Sequence, residues 1–274
     1  MEIILQHLDL FLALAAAGAV AGLTAGLFGV GGGIVIVPAI YAVLIGFEIR
    51  DELAMKTAIA TSLATIVVTS LRSVFAHYKR GAVDVSVLKS WVPWILSGAF
   101  VGAALASYMP GQWLVVGFGG FIVLISLQMA FANPNWKLSD GLPDGVAKRA
   151  LASFIGLSSA MAGIGGGVVG VIVMTLCGKS IHRAVGTAAG FGVAVGFPAA
   201  VTYMVTGWWS ADTVPFSLGF VNIPGFLAIS VLTASLAPVG ARLAHALPAL
   251  VLRRLFAGLL MVTGFLMLRE GITF

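Results

Sequence analysis

Gly29-Val-Gly-Gly-Gly33 interrupts an apolar stretch of the chain, and Gly163-Ile-Gly-Gly-Gly167 interrupts a second one in the later half. Each cluster is followed by a short apolar segment, at about residues 32–47 and 166–178. A helix of about thirteen residues reaches ~20 Å, less than the ~30 Å hydrocarbon core of a membrane. We therefore predict that each cluster begins a short helix, within a hairpin that turns part-way through a bilayer.

The composition places the chain in a lipid bilayer. Of its 274 residues, 60% are hydrophobic and only 9% are charged, and the mean hydropathy is +1.09. Soluble domains carry about 25% charged residues. This chain has too few charged residues to form a surface exposed to water. Its single cysteine, Cys177, excludes an internal disulfide and a cysteine metal cluster. We interpret the excess of Lys and Arg as an orientation signal and expect no nucleic-acid partner.

Ten hydrophobic segments can be recognised, since a membrane span needs about 20 mainly apolar residues. They cover approximately residues 9–30, 32–47, 54–77, 88–108, 112–131, 150–163, 166–178, 183–206, 220–241 and 250–269. The predicted fold is an all-α polytopic membrane protein. Its predicted parts are a first membrane repeat at 1–131, a polar cytoplasmic linker at 132–149 and a second membrane repeat at 150–274.

Three motifs occur in the same order in both halves, and the glycine clusters are the first of them. Ala58-Ile-Ala-Thr61 matches Ala184-Val-Gly-Thr187, and Gly102-Ala-Ala-Leu-Ala106 matches Gly240-Ala-Arg-Leu-Ala244. We interpret this order as an internal duplication. Because each half has five segments, an odd number, the second half enters the membrane from the opposite side. The sequence thus predicts two inverted-topology repeats, an architecture common in secondary transporters.

The basic residues predict the orientation. With the N-terminus outside, twelve of them fall on the cytoplasmic side and three outside. The cytoplasmic set is Arg72, Lys79, Arg80, Lys89, Lys137, Lys148, Arg149, Lys179, Arg183, Arg242, Arg253 and Arg254, and the outer set is Arg50, Lys56 and Arg269. Cytoplasmic loops are enriched in Lys and Arg. We therefore expect a multi-pass protein of the cell inner (cytoplasmic) membrane with its N-terminus outside.

The glycine clusters are the predicted binding site. Helix N-termini present unpaired N–H groups and a partial positive charge, and inverted symmetry would aim two of them at each other near the midplane. The predicted substrate-binding glycines are Gly31, Gly32, Gly33, Gly165, Gly166 and Gly167. No Asp or Glu lies well inside a segment, which favours an anion and disfavours a carboxylate proton relay. Close helix packing through small residues is the alternative.

Hydroxyl and basic side chains add further candidates. Thr57, Thr61, Thr65, Thr69 and Ser73 recur every four residues, flanked by Ser62 and Ser70. Hydroxyls can donate to an oxyanion, although each could instead bond the carbonyl four residues earlier or a neighbouring helix. Thr187 is the second-half counterpart of Thr61. Arg72, Lys56 and Arg183 either attract anions or anchor the chain at the interface.

Several of these segments resemble one known family. Ala25-Gly-Leu-Phe-Gly-Val-Gly-Gly-Gly-Ile-Val-Ile-Val-Pro38 is similar to the N-terminal signature of the sulfite exporter TauE/SafE family. Lys56-Thr-Ala-Ile-Ala-Thr-Ser62 and His77 to Gly81 resemble its next patches, and Gly163 to Gly167 and His182 to Thr187 resemble the second-half copies. Thr61 and Ser62 lie within the family patch and complete the predicted substrate-binding set with Thr187. The resemblance implies an inner-membrane transporter of sulfur-containing anions.

The leading hypothesis is therefore a transporter, not an enzyme, of a small oxyanion such as sulfite, sulfoacetate or a related organosulfonate. It would work by alternating access of the two halves. An anion channel of the same fold is the alternative. A membrane-embedded enzyme or a structural subunit has less support, because the chain has no H-E-x-x-H or G-x-S-x-G motif. We expect no cofactor and no bound metal, and leave Na⁺ or H⁺ coupling and a homodimer open.

Overall fold

The computed structural model describes residues 8–131, 138–139 and 141–272. Over these residues the chain forms ten α-helices. They are α1 (Leu8–Phe28), α2 (Gly33–Gly46), α3 (Asp51–Tyr78), α4 (Val85–Tyr108), α5 (Gly111–Phe131), α6 (Gly145–Met161), α7 (Gly167–Leu176), α8 (Ile181–Trp208), α9 (Ile223–Ala246) and α10 (Ala249–Ile272). Before α9, the strands β1 (Ser217–Leu218) and β2 (Val221–Asn222) pair antiparallel. The all-α class and the ten predicted segments are confirmed, with this small hairpin as an addition.

Six of the described helices are long and apolar enough to cross a membrane: α3, α4, α5, α8, α9 and α10. By contrast, α2 and α7 have 14 and 10 residues, which correspond to about 21 and 15 Å of helix. Each of these short helices directly follows an N-cap glycine with left-handed backbone, Gly32 at φ 88° and Gly166 at φ 46°. Glycine adopts this conformation without steric cost, so the glycine clusters set where both short helices begin.

Contacts between connecting segments show which connections share an end of the bundle. Arg50, before α3, pairs with Asp212, in the connection from α8 to α9. Asp84, before α4, pairs with Lys179, before α8, at 2.9 Å. The α2–α3 and α8–α9 connections therefore lie at one end, and the α3–α4 and α7–α8 connections lie at the other.

Two pairs of parallel helices join the first five helices to the last five. Gly26 of α1 lies so close to α9 that an added Cβ would stand 2.0 Å from the carbonyl oxygen of Ala237. Gly98 of α4 approaches α6 equally closely, with an added Cβ 1.9 Å from the carbonyl oxygen of Ser153. Contacts advance together along both chains, as in Gly18–Leu232 and Gly22–Leu236, and in Gly98–Ser153 and Gly102–Leu157. The first helix of each half, α1 or α6, thus packs against a helix of the other half.

The centre of the bundle is formed by α3 and α8, which pack against each other and against the short helices α2 and α7. More than half of the residues along α3 are buried, including its hydroxyl row. Beside this centre, α5 and α10 run antiparallel, and Ser126 of α5 donates a 2.8 Å hydrogen bond to the carbonyl of Ala257. The glycine turns are therefore enclosed on all sides by helices.

Residues 145–149 of the predicted linker (132–149) form the first turn of α6. Its residues 132–137 and 140, which include Lys137, lie outside the described part of the chain. The division into repeats at 1–131 and 150–274 stays a prediction.

Candidate functional site

The two glycine turns touch each other at the centre of the bundle. An added Cβ on Gly33 would lie 2.5 Å from the carbonyl oxygen of Gly163, and one on Gly167 would lie 2.1 Å from that of Gly29. Each turn therefore contacts the residue that opens the other cluster. This brings the N-termini of α2 and α7 together; a role of these glycines in substrate binding stays a prediction. Helix N-termini leave their first N–H groups without a partner inside the helix.

Ser70 of α3 lies against this meeting point. An added Cβ would lie 2.9 Å from its Oγ if placed on Gly31 and 2.1 Å if placed on Gly192 of α8. The Ser70 side chain is fully buried, and its hydroxyl has no hydrogen-bond partner. Gly165 belongs to the same group, since its added Cβ would lie 3.2 Å from Gly192 Cα. A buried hydroxyl without a partner costs about 1–3 kcal/mol. Thr57, Ser159, Tyr203 and Ser230 share this state, and Ser70 is singled out by its position against Gly31 and Gly192.

The three hydroxyls predicted as ligands make structural hydrogen bonds. Ser62 donates to the carbonyl of Gly163 at 2.9 Å, which fixes the second glycine turn to α3. Thr61 accepts from the backbone N–H of Asn222 at 2.9 Å, and Thr187 accepts from that of Asp84 at 2.9 Å. Thr61 and Thr187 thus occupy equivalent places in the two halves.

Asn222 and Asp84 cap the helices that follow them. The Asn222 side chain accepts from the Gly225 N–H at 2.9 Å at the start of α9. The Asp84 side chain accepts from the Val87 N–H at 3.4 Å at the start of α4. Hydrogen bonds from Ser86 and from Lys179 lower the pKa of Asp84 to about 2. Each threonine therefore ties a long central helix to the start of a helix that packs beside it.

The other hydroxyls of α3 differ: two bond within the helix, Ser73 donates to the carbonyl of Ala25 in α1 at 3.3 Å, and Thr57 has no partner. Thr65 donates to the carbonyl of Thr61 at 2.9 Å and Thr69 to that of Thr65 at 3.0 Å. Such bonds to the carbonyl four residues earlier are the alternative that the sequence left open. Thr69 also bonds Thr233 of α9 at 2.8 Å. Sequence reasoning favoured Thr61 and Ser62 among these hydroxyls, whereas Ser70, which flanks the row, is the one that lies against Gly31 without a partner.

The three predicted cations lie away from one another. Lys56 forms an i,i+4 ion pair with Glu52 at 2.9 Å in the first turns of α3. Arg183 is exposed near the start of α8. Arg72 lies toward the other end of α3, where its Nε is 3.4 Å from the carbonyl oxygen of Ala234. None of these contacts joins a cation to the glycine turns.

Three histidines meet at the end of the bundle that carries Asp84 and Lys179. His77 Nε2 donates to the carbonyl oxygen of Gly26 at 2.9 Å, and its Nδ1 lies 3.2 Å from His245 Nε2. The His182 ring stacks on that of His245 with centroids 5.8 Å apart. A neutral His77 that donates from Nε2 accepts at Nδ1, so His245 donates to it. Over the described part of the chain no three His, Cys, Asp or Glu side chains are placed to hold a metal ion.

These features define the class of protein: a multi-pass helical membrane protein whose central helices enclose two glycine-capped short helices. Comparisons with known proteins agree with this class. The family described as "Sulfite exporter TauE/SafE" matches residues 14–267. The chain belongs to the sulfite exporter TauE/SafE family and is a membrane transporter.

Three relatives illustrate the relationship. A "Probable membrane transporter protein" of Haemophilus influenzae is 30% identical over 245 residues, which are 89% of this chain and 93% of the relative. One of the same description from Methanocaldococcus jannaschii is 24% identical and covers 92% of each chain. A third from Bacillus subtilis, YunE, is 31% identical over 61% of this chain and 67% of its own length. No solved structure matches the chain.

Proposed function

We propose that the protein carries a small sulfur-containing oxyanion, such as sulfite, sulfoacetate or a related organosulfonate, across the cytoplasmic membrane. The anion binds between the N-termini of α2 and α7, and Ser70 donates a hydrogen bond to it. The Ser70 hydroxyl carries this proposal, because it is buried, has no partner and lies against Gly31 of the first glycine turn and Gly192 of α8. A hydroxyl and two helix N-termini supply N–H and O–H donors and partial positive charge, which suit an anion.

The positions of the carboxylates favour an anion over a cation. Those in the described part of the chain lie in connections or in the terminal turns of helices: Asp9, Glu48, Asp51, Glu52, Asp84, Asp144, Asp212 and Glu270. A carboxylate at the glycine turns would repel an oxyanion, whereas a hard cation would need such oxygens. The family name, sulfite exporter, supplies the class of anion.

Alternating access of two inverted repeats is the proposed mechanism. Matching helices of the two halves pack against matching helices of the other half, which supports this mechanism. In the first half α1 and α3 pack on α9, and in the second half α6 and α8 pack on α4. The Thr61–Asn222 and Thr187–Asp84 hydrogen bonds repeat the same relation at single residues. A two-fold relation between the halves would let one rocking motion open the glycine turns to either side.

The contact between Ser70 and Gly192 favours a carrier over a channel. An added Cβ on Gly192 would stand only 2.1 Å from Ser70 Oγ, so α3 and α8 touch beside the proposed site. An anion can reach Ser70 only when these helices separate, which ties each transport event to a conformational change. We expect saturable flux, whereas a channel would conduct without saturation at low substrate concentration.

The orientation proposed is N-terminus outside. The connections grouped with Asp84 and Lys179 include Lys79 and Arg80, and Arg253 and Arg254 lie in the first turns of α10. The end that carries Arg50 and Asp212 has fewer cations. The positive-inside rule supports a cytoplasmic assignment for the richer end.

The experiment is uptake of labelled sulfite into proteoliposomes, with thiosulfate, sulfoacetate and taurine as competitors. We compare Ser70→Ala with Thr65→Val, which removes a hydroxyl bonded only within α3. A hydrogen bond to a charged group contributes about 1.5–3 kcal/mol. We therefore expect the apparent KM of Ser70→Ala to rise roughly 10- to 100-fold. Its melting temperature should not fall, because no internal hydrogen bond is lost.

Two results would contradict the proposal. An unchanged KM in Ser70→Ala would move the binding site away from the glycine turns. Absence of flux with every anion tested would mean that the transported solute is not a sulfur oxyanion. Thr65→Val should transport with the wild-type KM.

A further inference from the structure

A second basic site lies at the ends of α3 and α9, away from the glycine turns. A cavity of about 350 Å³ opens there between the two helices. Its charged lining consists of Arg72, Lys79 and Arg80 from α3 and its C-terminal end, and Arg242 from α9. The remaining lining residues, Phe75, Ala76 and Pro238, are apolar. Four cations therefore surround one cavity that has no carboxylate in its lining.

The contacts that hold these cations leave their charges uncompensated. Arg80 Nη1 donates to the carbonyl oxygen of Ala76 at 2.9 Å, and Lys79 Nζ lies 4.5 Å from the centroid of the Phe75 ring. Arg72 contacts a backbone carbonyl. Within the residues that the structure describes, none of the four cations forms an ion pair. Like charges grouped at one cavity repel one another, and a bound anion would relieve that repulsion.

The surface beside the cavity is apolar. Leu71 and Phe75 of α3 are 52% and 54% exposed, and Val239 and Leu243 of α9 are 40% and 45% exposed. In a multi-pass membrane protein, large exposed apolar side chains of this kind face lipid. The basic cavity therefore adjoins a surface along which acyl chains can lie.

We infer that this cavity binds the phosphate of an anionic phospholipid headgroup, whose acyl chains lie against the apolar surface of α3 and α9. Clusters of basic residues between transmembrane helices are suited to such headgroups. The shared chemistry is that of a tetrahedral oxyanion, so free phosphate or the transported anion could also satisfy the four charges. The adjoining apolar surface favours the lipid as the source. This inference does not depend on which solute the protein transports.

The test is the thermal stability of the purified full-length protein in neutral detergent, followed by tryptophan fluorescence. Phosphatidylglycerol is titrated against phosphatidylcholine with the same acyl chains, and inorganic phosphate is titrated separately at constant ionic strength. The variant is Arg242→Gln, because Arg242 makes no contact whose loss would unfold the protein. Arg242→Lys restores the charge. Arg254→Gln removes an exposed arginine outside the cavity and is the matched control.

We expect phosphatidylglycerol, but not phosphatidylcholine or phosphate, to raise the melting temperature of the wild type and of Arg254→Gln. Arg242→Gln should bind phosphatidylglycerol about fivefold more weakly, the factor that corresponds to ~1 kcal/mol per cation at an anionic lipid surface. Arg242→Lys should recover most of that loss. An equal response of Arg242→Gln and Arg254→Gln to the lipid would overturn the inference. A response to phosphate in place of lipid would overturn the lipid as the source.

Discussion

Replacing Gly167 by alanine tests the contact between the two glycine turns. The added Cβ would lie 2.1 Å from the carbonyl oxygen of Gly29, 2.8 Å from its carbonyl carbon and 2.5 Å from Val30 Cα. Favourable contacts between carbon atoms begin at about 3.5 Å, so the turns must separate by roughly 1 Å. Overpacking costs typically 1–3 kcal/mol. Because the colliding atoms are backbone and cannot rotate away, we expect a loss near ~3 kcal/mol.

Gly258→Ala is the matched control, since nothing lies within 4 Å of an added Cβ in this α10 position. Alanine gains up to ~1 kcal/mol over glycine in a helix, so the two variants should differ by about 3–4 kcal/mol. Thermal unfolding in detergent and sulfite uptake would be measured for both. We expect Gly167→Ala to melt well below Gly258→Ala and to lose transport, because the separated turns no longer frame Ser70. Equal melting temperatures would show that the turns are not in contact, and the reasoning would fail.

Three further predictions concern the helix caps and the topology. Asp84→Asn should destabilise the protein by about 1–2 kcal/mol at neutral pH. The pKa of Asp84 is lowered from 3.8 to about 2, which corresponds to a stabilisation of ~2 kcal/mol at most. Partial exposure of the carboxylate reduces this stabilisation. This deficit should vanish as the pH falls from about 4 to 2, where the wild-type carboxylate takes up its proton; melting curves against pH measure it. Thr61→Val and Thr187→Val should each cost about 1–3 kcal/mol in chemical unfolding, because each leaves a backbone N–H unsatisfied. Single cysteines at Lys79 and Phe216, in a Cys177→Ser background, should react with an impermeant thiol reagent from opposite sides of the membrane.

Each of these predictions has a control. Asp144→Asn removes an exposed carboxylate from an i,i+4 pair and should show little effect at any pH. Thr175→Val removes only bonds within α7 and should cost less than Thr187→Val. A cysteine at Arg254 should react from the same side as one at Lys79. A persistent Asp84→Asn deficit below pH 2, a neutral Thr187→Val, or labelling of Lys79 and Phe216 from one side would contradict the respective prediction.

The ten helices and the starts of α2 and α7 were predictable because they depend on local sequence. Apolar length determines a membrane-spanning helix, and glycine clusters break it. The repeated glycine motif, which contains the contacting residues Gly33 and Gly163, could also be recognised from the sequence.

Partners in three dimensions were not predictable. The spacing of Gly18, Gly22 and Gly26 marks a face for close packing but does not indicate that α9 covers it. The hydroxyl row on α3 likewise gave no sign that Ser70 would be left without a partner while Thr65 and Thr69 bond carbonyls in their own helix. Arg72 and Arg242 are far apart in sequence, and only the packing of α3 on α9 makes them neighbours.

The packing of α1 on α9 sets a constraint on biosynthesis. Chains are made from the N-terminus, so α1 enters the membrane long before α9 has been translated. During that interval the glycine face of α1 has only lipid to contact, and the face of α4 waits similarly for α6. The first five helices therefore cannot complete their packing alone, and the finished fold forms only after the last helices arrive.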